Sequence, residues 1–123
     1  MVKKWNVTIP KLSGDKARRA YIYLPASYEK EKDKRYPVMY MFDGHNVFFD
    51  EDATFGKSWG MNKYLVENKK EIIVVGVECN HEGNRRLIEY SPLTYDNSEH
   101  GKIKGKGNVY MNWLINTLKP YVD

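Results

Sequence analysis

The feature that most constrains this chain is a short apolar run that stops abruptly. Val38-Met39-Tyr40-Met41-Phe42 follows Pro37 and breaks at Asp43-Gly44. Its β-branched, aromatic and apolar residues are those of a strand buried on both faces, and proline is tolerated at the entrance to a strand. Asp-Gly is a turn signal. A buried strand broken by a turn sets backbone N–H groups at the carboxyl end of a sheet, where open α/β folds place their sites. A core strand followed by an ordinary loop is the plainer alternative, and these residues alone leave it open.

A second apolar run, Ile72-Ile73-Val74-Val75-Gly76-Val77, reads as a buried parallel strand. Between the two, Met61, Tyr64 and Leu65 lie at helical spacing within residues 59–68, with Ser58 as the expected helix cap. Strand, helix and strand make a βαβ unit, whose crossover is right-handed. Upstream, residues 5–9 and 19–24 read as strands separated by a turn at Gly14-Asp15, which predicts an antiparallel hairpin; Tyr21 and Tyr23 share one face of its second strand. Residues 27–35 form a charged surface loop. Downstream, residues 78–107 read as one long polar loop, a length that usually serves function or a lid. Val109, Tyr110, Trp113, Leu114 and Leu118 predict a helix from Asn108, closed by Pro120. The expected organisation is one α/β domain over 1–123. Its parts are a hairpin and loop (1–35), a strand-helix-strand core (36–77), a long loop (78–107) and a terminal helix (108–123).

Composition narrows the function classes. The 123 residues carry a formal net charge of +4, with lysines dispersed apart from Lys102, Lys104 and Lys106. No basic stripe is interleaved with aromatics, which argues against nucleic acid as a partner. Ten tyrosines and three tryptophans can fill a core or line a sugar- or aryl-binding surface. Cys79 is the sole cysteine, so no intrachain disulfide forms. No apolar run reaches membrane-spanning length, and Met1-Val2-Lys3-Lys4-Trp5 lacks the core of a signal peptide, which predicts a cytoplasmic protein with no membrane partner. His45, His81 and His100, with the acidic cluster Asp50, Glu51 and Asp52, have no metal-ligand spacing. Neither metal nor cofactor is expected. His45 stands out because it sits at the strand-end turn; a hydrogen-bonding role is the ordinary one for a lone loop histidine.

Two motifs are decoys. Gly56-Lys57-Ser58-Trp59-Gly60 has the form G-x-S-x-G, and Asp96 and His100 follow in the order of an α/β-hydrolase triad. A nucleophile elbow needs a buried strand running into the serine, and Asp50-Glu51-Asp52-Ala53-Thr54-Phe55 cannot supply one. Gly56-Lys57-Ser58 also looks like the end of a P-loop, but the glycine that motif requires falls at Glu51.

The ordered motifs do resemble one family. Tyr21-Ile22-Tyr23-Leu24-Pro25-x-x-Tyr28, Tyr36-Pro37-Val38-x-Tyr40-x-x-Asp43-Gly44-x-Asn46-x-Phe48 and Ser58-Trp59-Gly60 are similar to an esterase family of α/β-hydrolases. That family includes the esterase D-like, feruloyl, acetylxylan and enterochelin esterases. The likeness continues through Ile73-Val74-Val75-Gly76-Val77, Arg86-x-x-Glu89-Tyr90-Ser91-Pro92 and Leu118-Lys119-Pro120-Tyr121-Val122-Asp123. It implies a serine esterase working on a small-molecule acyl ester, on a sugar or aryl group for example. It also implies that the backbone N–H of His45 forms half of an oxyanion hole, with Gly44, His45, Asn46 and Trp59 around the substrate. By the same resemblance the chain is the N-terminal half of an α/β-hydrolase fold. An antiparallel hairpin leads into a mostly parallel sheet with flanking helices, in strand order 1-2-4-3. The family's nucleophile strand, which pairs with strand 3 and leads to the triad, would follow Asp123. Strand Val38–Phe42 is then an edge that the missing C-terminal half or another copy would cover. The alternative reading is a non-catalytic half-fold that binds a partner or self-assembles through that edge.

Overall fold

The hairpin forms first in the chain and frames the sheet. The computed structural model describes residues 1–99 and 101–123. In it, β1 (Val2–Val7) and β2 (Arg18–Tyr23) pair antiparallel, from Val2 opposite Tyr23 to Val7 opposite Arg18. The first strand thus begins three residues before the alternation at Trp5. The turn between them holds a single helical turn, α1 (Pro10–Ser13), ended by Gly14 at φ 60. β3 (Val38–Met41) and β4 (Ile73–Val77) run parallel, and β4 also pairs antiparallel with β2. The sheet order is β1-β2-β4-β3, the order the resemblance implies.

Two compact units are distinguished. The first comprises 1–7 and 17–79. Its core is built from Tyr21, Tyr23, Val47, Phe48, Leu65 and Val74, with Val2, Met41, Phe49, Met61 and Ile72 packed around them. Tyr21 and Tyr23 point to this side because they are two apart on β2, and a strand alternates its faces. β4 is an interior strand, between β2 and β3, with Val74 to Val77 buried.

β3 takes the edge position that the resemblance implies and departs from the reading of its residues as a strand buried on both faces. It is an edge strand, and Met39 and Phe42 are 36% and 46% exposed, so it is not buried on both faces. Its apolar composition reads like that of a central strand, but it has a neighbour on one side only among the described residues.

The crossover helix α2 (Met61–Glu67) is shorter than predicted and buries Leu65, while Tyr64 is exposed. Ser58 is not its cap. Gly60, at φ 67, occupies that position, and Ser58 Oγ instead accepts the Gly60 N–H at 3.1 Å. At its other end Lys70 N–H reaches Leu65 O and Lys69 N–H reaches Val66 O, the paired bonds of a Schellman motif. Lys69 takes φ 50 there, where glycine is usual. Lys69→Gly is therefore expected to stabilise the chain by about 1 kcal/mol in a urea titration, because the left-handed penalty is removed.

The second unit comprises 8–16 and 80–123. The segment 78–107, expected to be one loop, holds a helix α3 (Arg85–Tyr90) and an antiparallel pair, β5 (Tyr95–Asn97) and β6 (Gly101–Ile103). Tyr90 and Tyr110 meet edge-on at 5.4 Å. A Cβ on Gly105 would lie 2.3 Å from Leu93 O, so the backbone of this unit closes tightly on itself. The final helix begins as α4 (Gly107–Trp113) and widens to a π-helical turn over Leu114–Leu118. It continues as α5 (Lys119–Val122). Pro120 does not end it, because the π turn widens the coil where an α-helix would clash with the proline ring. No helix of the described residues is long and apolar enough to cross a membrane.

Candidate active site at the turn after the third strand

At the end of β3 the backbone reverses through one strained residue. Asp43 adopts φ 54, ψ 49, a left-handed conformation that aspartate tolerates better than most residues. Gly44–Asn46 then form a turn of 3₁₀ helix, closed by Asn46 N–H to Asp43 O at 2.9 Å and Val47 N–H to Gly44 O at 3.2 Å. Asp43, Gly44 and His45 are buried.

Two glycines hold this turn against the sheet. A Cβ on Gly44 would lie 2.4 Å from Gly76 C and 2.5 Å from Val77 N, and a Cβ on Gly76 would lie 2.9 Å from Gly44 Cα. The turn thus sits directly on the backbone of β4, at a spacing that no side chain permits. A glycine inside a strand marks such an approach, and Gly76 in an otherwise β-branched run was the available signal for it.

The loop that follows hangs from the same turn. Asn46 O accepts the Trp59 N–H at 2.8 Å, and Val47 O accepts the Met61 N–H at 3.2 Å. Asn46 Oδ1 accepts the Thr54 N–H at 3.0 Å, and His45 Nε2 lies 3.1 Å from Thr54 Oγ1. Trp59, distant in sequence, is therefore held in one assembly with the consecutive residues Gly44, His45 and Asn46. The amide oxygen of Asn46 braces the loop, and Trp59 is 57% exposed. Thr54, the partner of both His45 and Asn46, has no sequence signature that would have singled it out.

Ser58 stands in this loop with no strand leading into it, so the buried strand that a nucleophile elbow needs is missing there. Its N–H donates to Asp50 Oδ1 at 2.8 Å. The Ser58 N–H and hydroxyl together hold the Asp50 carboxyl below its ordinary range. Asp96 lies in β5 and His100 lies outside the described residues.

A charged network anchors the start of the loop. Asp52 accepts from Lys4 Nζ at 2.8 Å, from an Arg19 guanidinium N–H at 2.7 Å and from the Tyr21 hydroxyl at 2.9 Å. Arg19 also donates through Nε to Glu78 at 2.6 Å. Burial disfavours the charged form of Asp52, but the hydrogen bonds from Lys4 and Tyr21 and the nearby cations outweigh it, and the carboxyl is held below its ordinary range. Burial, and then the bond to Asp52, push the Tyr21 hydroxyl well up.

Asp52→Ala is expected to cost about 2 kcal/mol at pH 7, since Tyr21 and two cations lose their acceptor. The sign with pH follows from the lowered pKa. The contribution is full above the unfolded value of about 4 and vanishes as pH falls through the folded value. Urea titrations should show the gap between parent and variant closing below about pH 4.

The comparisons with known proteins agree with this architecture. The crystal structure of a BES protein from Bacillus cereus is 23% identical, with 98% of this chain matched to 45% of that chain at a TM-score of 0.57. An IroE-like serine hydrolase from Shewanella oneidensis is 20% identical, over 99% of this chain and 37% of the other, at 0.65. A ferulic acid esterase is 17% identical, over 99% and 43%, at 0.50. At these identities the likeness shows the fold. The chain spans less than half the length of each of the three structures. No curated protein sequence matches it. The model of the Esterase family matches residues 13–123, through both the turn and the strands that hold it, and the chain belongs to that family.

Proposed function

We propose that the chain works as part of a serine-type carboxylic-ester hydrolase, in which the Asp43-Gly44-His45 turn supplies half of the oxyanion hole. The observation that carries this reading is the turn itself. It sits at the carboxyl end of β3, is pinned to β4 by the Gly44–Gly76 contact, and lies in a chain of the Esterase family.

Acyl transfer builds negative charge on the carbonyl oxygen of the ester. A donor fixed in advance stabilises that charge without reorganisation, and one such donor is worth about 10²–10³ in rate. In this reading the N–H of His45 is that donor, and its imidazole, turned to Thr54, holds the turn rather than moving protons. Asn46 and Trp59 border the acyl group. The nucleophilic serine, its histidine and its acid come from a segment outside these 123 residues, which also supplies the second oxyanion donor. Serine attack then gives an acyl-enzyme that water resolves. The substrate class is a small-molecule acyl ester, with sugar and aryl esters as candidates, and no cofactor is needed.

Ser58 is not the nucleophile in this account. Hydrolysis of p-nitrophenyl acetate by the 123-residue chain is expected to stay at the buffer rate, and Ser58→Ala to leave the activity of the assembled hydrolase unchanged. A rate lost with Ser58→Ala contradicts the assignment.

The edge position of β3, with Met39 and Phe42 exposed, supports a second reading. The edge would pair with a further strand, either the nucleophile-bearing segment or another copy of the chain. A stable, inactive oligomer of the chain favours the second copy and a non-catalytic role.

A further inference from the structure

We propose that a cleft beside the C-terminal end of α2 binds a small organic anion with an apolar body, of the aryl carboxylate class. The cleft lies within the first unit, has a volume of about 600 Å³, and is formed by Met1, by the end of β2 and the residues after it, and by residues around the end of α2. That volume falls in the range of small-molecule sites.

Its wall is apolar. Tyr23 and Leu65 are each 3% exposed, and Pro25 is buried beside them. Its rim is cationic, formed by Lys30, Lys69 and Lys70. None of these three ammonium groups has an ion-pair or hydrogen-bond partner among the described residues. Lys34, close by in sequence, shows the contrast, since it is paired with Glu31 and Glu71. The one carboxylate at the cleft, Glu71, is already engaged by Ser27 and Lys34, which hold it below its ordinary range. The rim therefore presents three unneutralised cations against one satisfied anion.

Lys69 takes its positive φ from the Schellman motif that ends α2, and that motif places Lys69 and Lys70 together at the rim. A neutral ligand makes no use of the lysines, and an inorganic anion makes no use of the wall. A carboxylate on an aromatic body uses both. The cleft is separate from the turn at 43–46, and its occupancy does not depend on ester hydrolysis.

The test is a titration of the ¹⁵N-labelled chain with 3-phenylpropionate, followed by amide chemical shifts. Saturable shifts are expected at Tyr23, Leu65, Lys69 and Lys70. The neutral 3-phenylpropanamide should bind about tenfold more weakly, as should the carboxylate to the Lys30→Gln/Lys70→Gln chain, whose replaced residues are exposed and leave the fold intact. The proposal is overturned if no shift saturates, or if the amide binds as tightly as the carboxylate. It is equally overturned if inorganic phosphate matches the carboxylate, since attraction to charge alone then explains binding.

Discussion

Gly44→Ala is expected to destabilise the chain by about 3 kcal/mol, near the upper end of what overpacking costs. The added methyl would meet backbone rather than a side chain that can turn away, with Gly76 C at 2.4 Å and Gly76 O at 2.7 Å. β4 cannot yield easily, because it is hydrogen-bonded to β2 on one side and β3 on the other. The turn must therefore move off the sheet. Gly56→Ala is the control. Gly56 also has positive φ, at 77, but its Cβ would meet nothing within 4 Å. Only the conformational term remains there, about 1–2 kcal/mol. Thermal melts should place Gly44→Ala about 10 °C below the parent, with Gly56→Ala between them. Equal losses for the two variants would show that the Gly44–Gly76 contact does not hold the turn. A turn displaced by about 1 Å also carries the His45 N–H with it, and under the oxyanion role proposed above misplacement on that scale would cost about 10²-fold in rate.

The parts of the fold that were legible in the sequence are those with a clean period. The hairpin, β3, β4 and the helix between them follow from alternation, apolar runs and spacing, and the family likeness supplied the order β1-β2-β4-β3. The segment 78–107 was illegible for a physical reason. α3 is a helix of six residues and β5 and β6 are strands of three, too short for any period to show. Its order rests instead on contacts such as Gly105 against Leu93 and Ser91, which no local pattern announces. Pro120 misled because a proline normally ends a helix, and the π turn before it is not encoded in any simple spacing.

The candidate site was legible in part. Asp43-Gly44 marked the turn, and Gly76 carried a hint of the close approach. Ser58 read as a helix cap because Ser before an apolar helix usually is one, whereas the αL conformation of Gly60 took that place. Asp52 was read as one of three acids in a polar turn, yet it alone of them receives Lys4, Arg19 and Tyr21. Those partners come from β1 and β2, more than thirty residues away for Arg19 and Tyr21. Only the folded sheet brings them together.

The central claim is that the backbone of His45, and not its side chain, serves the reaction. His45→Pro removes the N–H while its fixed φ suits a helical turn. His45→Ala keeps the N–H and removes the imidazole that contacts Thr54. The deciding measurement is kcat of both variants in the assembled hydrolase on an aryl ester, with melting temperatures showing that each is folded. The account predicts a loss of about 10²–10³ for His45→Pro and less than about tenfold for His45→Ala. A folded His45→Pro enzyme with the parent's kcat, or an equal loss in both variants, would contradict it.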